Sequence, residues 1–214
     1  PGQVDLGGTP AVAIAAGTNH MLAVLATGEV RSWGSNAQGQ LGRGLNNFTS
    51  SSSPVIVVAA AGGSLNNVVS VAAGSFHSLA LRADGTVAIW GDNSGDGTQV
   101  TRTTATILAS LSGVKSISTQ VSTSYAVVGP SNQIKAWGFN SSGQLGDGTT
   151  TTRLSPVLVT SGAQAVAAGG SHMAFVGSTA RLWGGGRNVE RQLGDATATN
   201  RLAPVRSRFS RMVV

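Results

Sequence analysis

The stretch WGSNAQGQLGRG, residues 33–44, sets one tryptophan against a run of glycine and polar turn residues. Taken alone it fits either a phosphate-cradling glycine loop or punctuation in something larger, and its recurrence decides between them. Trp33-Gly34, Trp90-Gly91, Trp137-Gly138 and Trp183-Gly184 stand 57, 47 and 46 residues apart, and Gln-Leu-Gly follows three of them, at Gln40, Gln144 and Gln192. The second copy, WGDNSGDGTQV, lacks the tripeptide. Before each Trp lies a second shared block: VAIAAGTNHMLAVL from Val12, VSVAAGSFHSLALR from Val69, AVAAGGSHMAFV from Ala165 and a degenerate KSISTQVSTSYAVV from Lys115. After it comes a third: SPVIVV from Ser53, TATILAS from Thr104, SPVLVT from Ser155 and APVRS from Ala203. A period of about 20 to 50 residues marks a repeat architecture, and four copies span Ala11 to Val205.

Within one unit the pattern reads strand, Gly turn, strand, tight turn, strand, long loop, strand. In SLALRADGTVAIWG, Leu79 and Leu81 alternate before Asp84-Gly85, and Val87 and Ile89 alternate after it. Asp-Gly is a strong hairpin signal because both residues tolerate positive φ, and Thr27-Gly28 holds its place in the first copy. A fourth strand is expected near Pro54 and Pro156, where an outer edge needs no ladder donor. Repeated four-stranded units of this length are the antiparallel blades of an all-β β-propeller. Ala15-Ala16-Gly17, Ala72-Ala73-Gly74 and Ala167-Ala168-Gly169 suit inner strands crowded round an axis, with the indoles between blade faces about 10 Å apart. The expected division is an outer strand of a preceding blade at 1–10, blades at 11–61, 62–111, 112–161 and 162–206, and a basic tail at 207–214, all in one domain.

The order A-A-G-x-x-H, then G-x-V-x-x-W-G-x-N-x-x-G-Q-L-G-x-G, then S-P-V resembles the regulator of chromosome condensation repeat, over more than nine tenths of the chain. The resemblance implies a propeller that usually has seven blades. Four units would then be part of a larger ring, a ring completed by partners or self-association, or a tightly closed four-bladed form. It also implies binding roles: family members inhibit enzymes or assemble complexes, and the best-known one exchanges nucleotide on a small Ras-like GTPase through a protruding β-wedge. The 57-residue first spacing contains NNFTSSSS and AAAGGSLNN, which read as flexible low-complexity sequence and not as such a hairpin.

Composition narrows the remaining classes. Charged residues are 10%, against about 25% in ordinary domains. Ser and Thr fill the gap, which leans toward an extracellular or surface setting. The net charge of +6 sits almost wholly after residue 180, where seven Arg face Glu190 and Asp195. This surplus is read as base composition, with a nucleic-acid footprint as the alternative. There is no cysteine, and no run reaches the roughly 18 apolar residues of a membrane span.

Chemistry-bearing residues fare poorly as catalysts or ligands. His20, His77 and His172 share one repeat position, held by Thr123 in the third copy. Blade spacing keeps them too far apart for a common ion, whose ligands must lie within about 2 Å of it, so each is expected to bond a local turn. No G-x-x-x-x-G-K-[ST] is present, and Ser171 beside His172 has no third group to orient it. No cofactor is expected, and the chain reads as a non-enzyme. Two N-x-[ST] sequons occur, at Asn47 and Asn140.

What remains is surface. The loop between A-A-G and His and the stretch after W-G share one rim, so contacts from every blade can be summed. The candidate partner-binding residues are Asn19, Asn36, Gln38, Phe76, Asp92, Phe139, Arg187, Asn188 and Arg191, with Phe76 and Phe139 as apolar anchors. Arg187 and Arg191 lie in GGGRNVERQLG, where the fourth copy carries two extra residues. The leading expectation is a scaffold binding a protein partner through this rim. Nucleotide exchange and an extracellular or particle-surface structural role are the alternatives.

Overall fold

The computed structural model describes residues 4–92 and 95–208. Among them lie sixteen strands and no helix. The strands are β1 Ala11–Ala16, β2 His20–Leu25, β3 Val30–Gly34, β4 Ser51–Ile56, β5 Val68–Ala73, β6 His77–Arg82, β7 Val87–Gly91 and β8 Arg102–Ile107. They continue as β9 Val114–Gln120, β10 Thr123–Val128, β11 Gln133–Gly138, β12 Arg153–Thr160, β13 Ala163–Ala168, β14 His172–Gly177, β15 Leu182–Gly186 and β16 Arg201–Arg206. Each successive quartet is one antiparallel sheet in sequence order. The Asp84-Gly85 turn closes where the sequence placed it, with Gly85 at φ 78° and the Arg82 N–H donating to Thr86 O at 2.9 Å.

The first strands pack in series, β1 on β5, β5 on β9 and β9 on β13, so they form the inner ring. Among the described residues blades 1 and 4 share no such packing, and the four blades make an arc. Apolar clusters fill the three joints between blades. Trp90 and Trp137 are completely buried in the first two of these joints, whereas Trp33 lies partly exposed on the open face of blade 1. Burial in the joint, not propensity within the strand, is what holds each sheet in place.

The glycine of A-A-G has a local cause. A Cβ on Gly17 or Gly74 would overlap the imidazole of His20 or His77 three residues on. That ring does not bond a local turn, as expected from the sequence, but crosses the joint. His20 Nε2 lies 2.8 Å from Ser78 Oγ of blade 2, and His77 Nε2 lies 2.7 Å from Thr119 Oγ1 and 2.8 Å from Ser124 Oγ of blade 3. Both have their pKa lowered from 6.5 to about 4, His20 by burial and His77 by burial with a smaller part from the neighbouring His20.

Blade 4 departs from the repeat. Strand pairing aligns Trp183 with Arg31 and Gly186 with Gly34, since Trp183 faces Arg206 as Arg31 faces Ile56. Gly185 therefore occupies the tryptophan position, and Trp183 sits two residues earlier, stacked on Phe175 with ring centroids 6.2 Å apart. GGGRNVERQLG thus contains no extra residues, contrary to the expectation from the W-G spacing. The exchange removes a donor. In the first joint, Gln40 O accepts from Trp90 Nε1 at 2.7 Å and Ser78 Oγ at 2.9 Å. In the third joint the corresponding residues are Gly185 and Met173, and the Tyr125 hydroxyl donates to Gln144 O instead, at 2.6 Å.

Two further expectations change, and the tail is described only as far as residue 208. Residues 4–10 form a turn in place of an outer strand, with Gly7 N donating to Asp5 Oδ1 at 2.8 Å, and Val4–Gly7 lie beside Trp33 on the open face. Residues 1–3 of that segment lie outside the described residues. The segment 57–67 is an ordered excursion. Its bonds Leu65 N to Val57 O and Ala60 N to Ala105 O fold it against β8, with Val57 and Leu65 buried in the first joint. In the tail, Ser207 Oγ donates to Leu193 O at 2.6 Å and Arg208 N to Gly194 O at 2.7 Å, and 209–214 lie outside the described residues.

Two predictions follow from the joints. The unfolded chain takes up imidazole protons below about pH 6.5, while His20 and His77 stay neutral in the fold until about pH 4. Their contribution to stability is intact above pH 6.5 and lost as pH falls toward 4. Thermal melting followed from pH 7 to 4.5 should show a falling midpoint, and His77→Gln should reduce that slope by about half, one proton of two having been removed. Tyr125→Phe leaves Gln144 O buried without its donor and should cost about 1–3 kcal/mol in urea unfolding.

Candidate interaction surface

In blades 1, 3 and 4 the loop after the third strand hangs on one asparagine. Asn140 is fully buried. Its Oδ1 accepts from Leu145 N at 2.9 Å, and its Nδ2 donates to Thr151 O at 3.0 Å and Thr149 O at 3.1 Å. Asn36 and Asn188 repeat the arrangement, their Oδ1 atoms accepting from Leu41 N and Leu193 N. Both are 0% exposed. They are therefore corrected from candidate contacts to loop anchors, and the Asn140 sequon has its amide spent inside the fold. Farther along, Asp96, Asp147 and Asp195 accept from Thr98, Thr149 and Thr197 and pair with Arg102, Arg153 and Arg201. Burial alone would raise these carboxyls, but the threonine and arginine bonds outweigh it and hold all three below the usual carboxylate range.

With the loops anchored, the rim resolves into one residue pair per blade. The glycine ending each third strand has positive φ, at Gly34, Gly91, Gly138 and Gly186, which turns the next N–H back onto the first loop. Ser35 N donates to Asn19 O at 2.8 Å, Asp92 N to Phe76 O at 2.9 Å, Phe139 N to Ser122 O at 2.9 Å and Arg187 N to Ser171 O at 2.8 Å. The four pairs are Asn19 with Ser35, Phe76 with Asp92, Ser122 with Phe139, and Ser171 with Arg187. Adjacent loops are stitched too, Thr18 N to Gly74 O and Ser75 N to Val121 O.

The other candidates sort by exposure. Phe76 is 44% and Phe139 50% exposed, and Val121 beside them is 42% exposed. Phe139 borders a cleft of about 100 Å³ lined also by Gly95, Thr98, Ser122 and Arg153. Asn19, Gln38, Arg187 and Arg191 are exposed, and Asp92 is half-buried. Arg187 is not a free charge, since its Nε donates to Glu190 Oε2 at 3.1 Å. Arg191 holds φ 63° in the turn below it. Sequence reasoning missed Leu45, 99% exposed in the long loop of blade 1, and Val189, 52% exposed beside Asn188. An apolar residue inside each Gly and Asn turn was the available signal.

The regulator of chromosome condensation (RCC1) repeat models match residues 27–81 and 133–176 in one form, and 11–40 and 68–97 in another. The chain belongs to the RCC1 repeat family. Among RCC1 relatives, human E3 ubiquitin-protein ligase HERC2 is 33% identical over 161 residues, covering 71% of this chain and 3% of HERC2. The solved structure of human WBSCR16 superposes with a TM-score of 0.83 at 23% identity, over 97% of this chain and 55% of that one. Prp20p of Saccharomyces cerevisiae, studied for binding Gsp1p and histones, superposes at 0.79 and 20% identity, over 97% and 52%. The chain spans about half of these propellers and a small part of HERC2, and the structural likenesses establish the fold.

Loop anchors and rim contacts separate in one experiment. Asn36→Ala strips buried backbone groups of their partners and should cost about 2–3 kcal/mol in denaturant unfolding. Gln38→Ala on the same loop should stay within about 0.5 kcal/mol.

Proposed function

We propose that this RCC1-repeat arc is a non-enzymatic scaffold that binds a protein partner through the rim pairs, with Phe76 and Phe139 as anchors. One observation carries the reading: blades 2 and 3, at the middle of the arc, each commit one rim position to a half-exposed phenyl ring, held there by backbone bonds that leave the ring outside. A main chain fixed in advance saves part of the entropy lost on binding, and a central aromatic pair with a polar surround is the usual make-up of an interface hot spot. Binding to protein partners by Prp20p supports the class of function without naming the partner here.

Nucleotide exchange on a small Ras-like GTPase stands second. The extra length in the first repeat lies folded against β8 and does not project as a wedge. The extracellular alternative finds no support among the curated relatives.

Phe76→Ala and Phe139→Ala are each expected to weaken partner capture by about tenfold or more, while unfolding free energy stays within about 1 kcal/mol. Quantitative cross-linking capture beside urea melts reads both. A stability loss of several kcal/mol with capture unchanged would make the rings core residues, and accelerated release of a fluorescent nucleotide from a GTPase panel would favour exchange.

A further inference from the structure

At the end away from the rim, the first two joints are each closed by a leucine that the connection between blades supplies, and the third is not. Strand pairing aligns Val57, Leu108 and Val159, each two residues past the partner of Ser32, Ile89 and Ala136, and aligns the starts of the next strands at Val68, Val114 and Ala163. Between these points the chain runs through 58–67 in the first joint and 109–113 in the second, burying Leu65 and Leu111 in the apolar clusters of those joints. The third connection is Thr160-Ser161-Gly162 and has no apolar residue to contribute. It is held along the turn of blade 3, Gly162 N donating to Ser131 O at 2.9 Å and Ala163 N to Asn132 O at 3.0 Å.

Blade 4 changes to match. Phe175 and Trp183, paired across β14 and β15, stand where blade 2 places Ala80 and Ala88 and blade 3 places Ala126 and Lys135. The alanines belong to the same clusters as Leu65 and Leu111, whereas the two rings reach into that space from the wall of blade 4. They do not fill it. A cleft of about 370 Å³ remains, lined by Val159, Thr160, Phe175, Ser178, Trp183 and Pro204 among others. Its walls are preformed: the rings are stacked at 6.2 Å, and the indole lies over Gly177, where a Cβ would come within 3.2 Å of Nε1. Both blades that bound the cleft are internal neighbours in the arc.

We propose that this cleft binds a leucine side chain presented at a turn of a partner protein, the part that Leu65 and Leu111 play from within the chain in the first two joints. The site is separate from the Phe76 and Phe139 rim, at the opposite end of the blades. Its chemistry selects the residue. A branched aliphatic group packs on Phe175, Trp183, Val159 and Pro204, while the lining carries no charged residue to answer an ionic side chain, whose desolvation would go uncompensated. The Thr160 and Ser178 hydroxyls at the edge suit the main chain of the turn that carries the leucine.

The test uses the full chain and a probe copied from its own second joint, a cyclic pentapeptide Ala-Ser-Leu-Ser-Gly with the sequence of residues 109–113. The Trp183 indole N–H resonance, assigned by its loss in Trp183→Phe, reports binding. The leucine peptide should shift it saturably at millimolar concentration, and the same ring with alanine for leucine should bind about tenfold or more weakly. Phe139→Ala should leave the titration unchanged, which keeps the outcome distinct from that at the rim. Replacing residues 160–162 with Ala-Ser-Leu-Ser-Gly, which supplies the leucine in cis, should abolish the peptide shift, and replacing them with Ala-Ser-Ala-Ser-Gly should preserve it. No saturable shift, equal shifts from both peptides, or a shift that survives the leucine graft would overturn the proposal. So would a Trp183 shift that grows with chain concentration and vanishes in Leu45→Ser, which would assign the cleft to a second copy of this chain.

Discussion

The joint between blades is the interaction on which the rest depends. A single four-stranded sheet with two apolar faces has nowhere to hide either of them. Stacking about an axis solves this by making each face the core of a neighbour, so Trp90 of blade 2 is buried chiefly by blade 1. Polar groups trapped in such a joint are answered across it in some places, as His20 is by Ser78 and Trp90 Nε1 by Gln40 O, and within one blade in others, as Gln144 O is by Tyr125. Sequence identity between repeats is thus partly identity between halves of a contact, and the invariant-looking Gly17 and Gly74 exist because an imidazole occupies the space of their side chains.

From that constraint the surface follows. Because the joints fix the inner strands and buried asparagines fix the long loops of blades 1, 3 and 4, the rim needs no packing role of its own. Positions there are free to vary, and they do: Asn and Ser on blade 1, Phe and Asp on blade 2, Ser and Phe on blade 3, Ser and Arg on blade 4. A rigid frame with variable tips suits binding, where preorganisation saves the entropy that a mobile loop would lose.

Much of this was legible in the chain. Asp84-Gly85, the A-A-G block and the recurring tryptophans gave strand order and blade type, because each is a local requirement of turn geometry or crowding. The rim phenyls were legible as apolar residues in polar turns. Asn36 and Asn188 were misread because a polar residue in a glycine-rich loop looks exposed, and only three-dimensional closure shows its amide satisfying three or four buried groups. The register of blade 4 was misread for a related reason. Trp-Gly at 183–184 copies the repeat's letters at a position whose pairing partner is Arg206, and pairing across a sheet is not written in one strand.

Tyr125 has an evolutionary consequence. It is encoded in the third unit, yet the carbonyl it satisfies faces Gly185 and Met173 of the fourth, which offer no side-chain donor. Neither unit can be copied, lost or shuffled by recombination without exposing the other's change. The heritable module of this arc is therefore a pair of half-blades meeting across a seam, and duplications that respect seams should outlast those that respect the boundaries of the repeat.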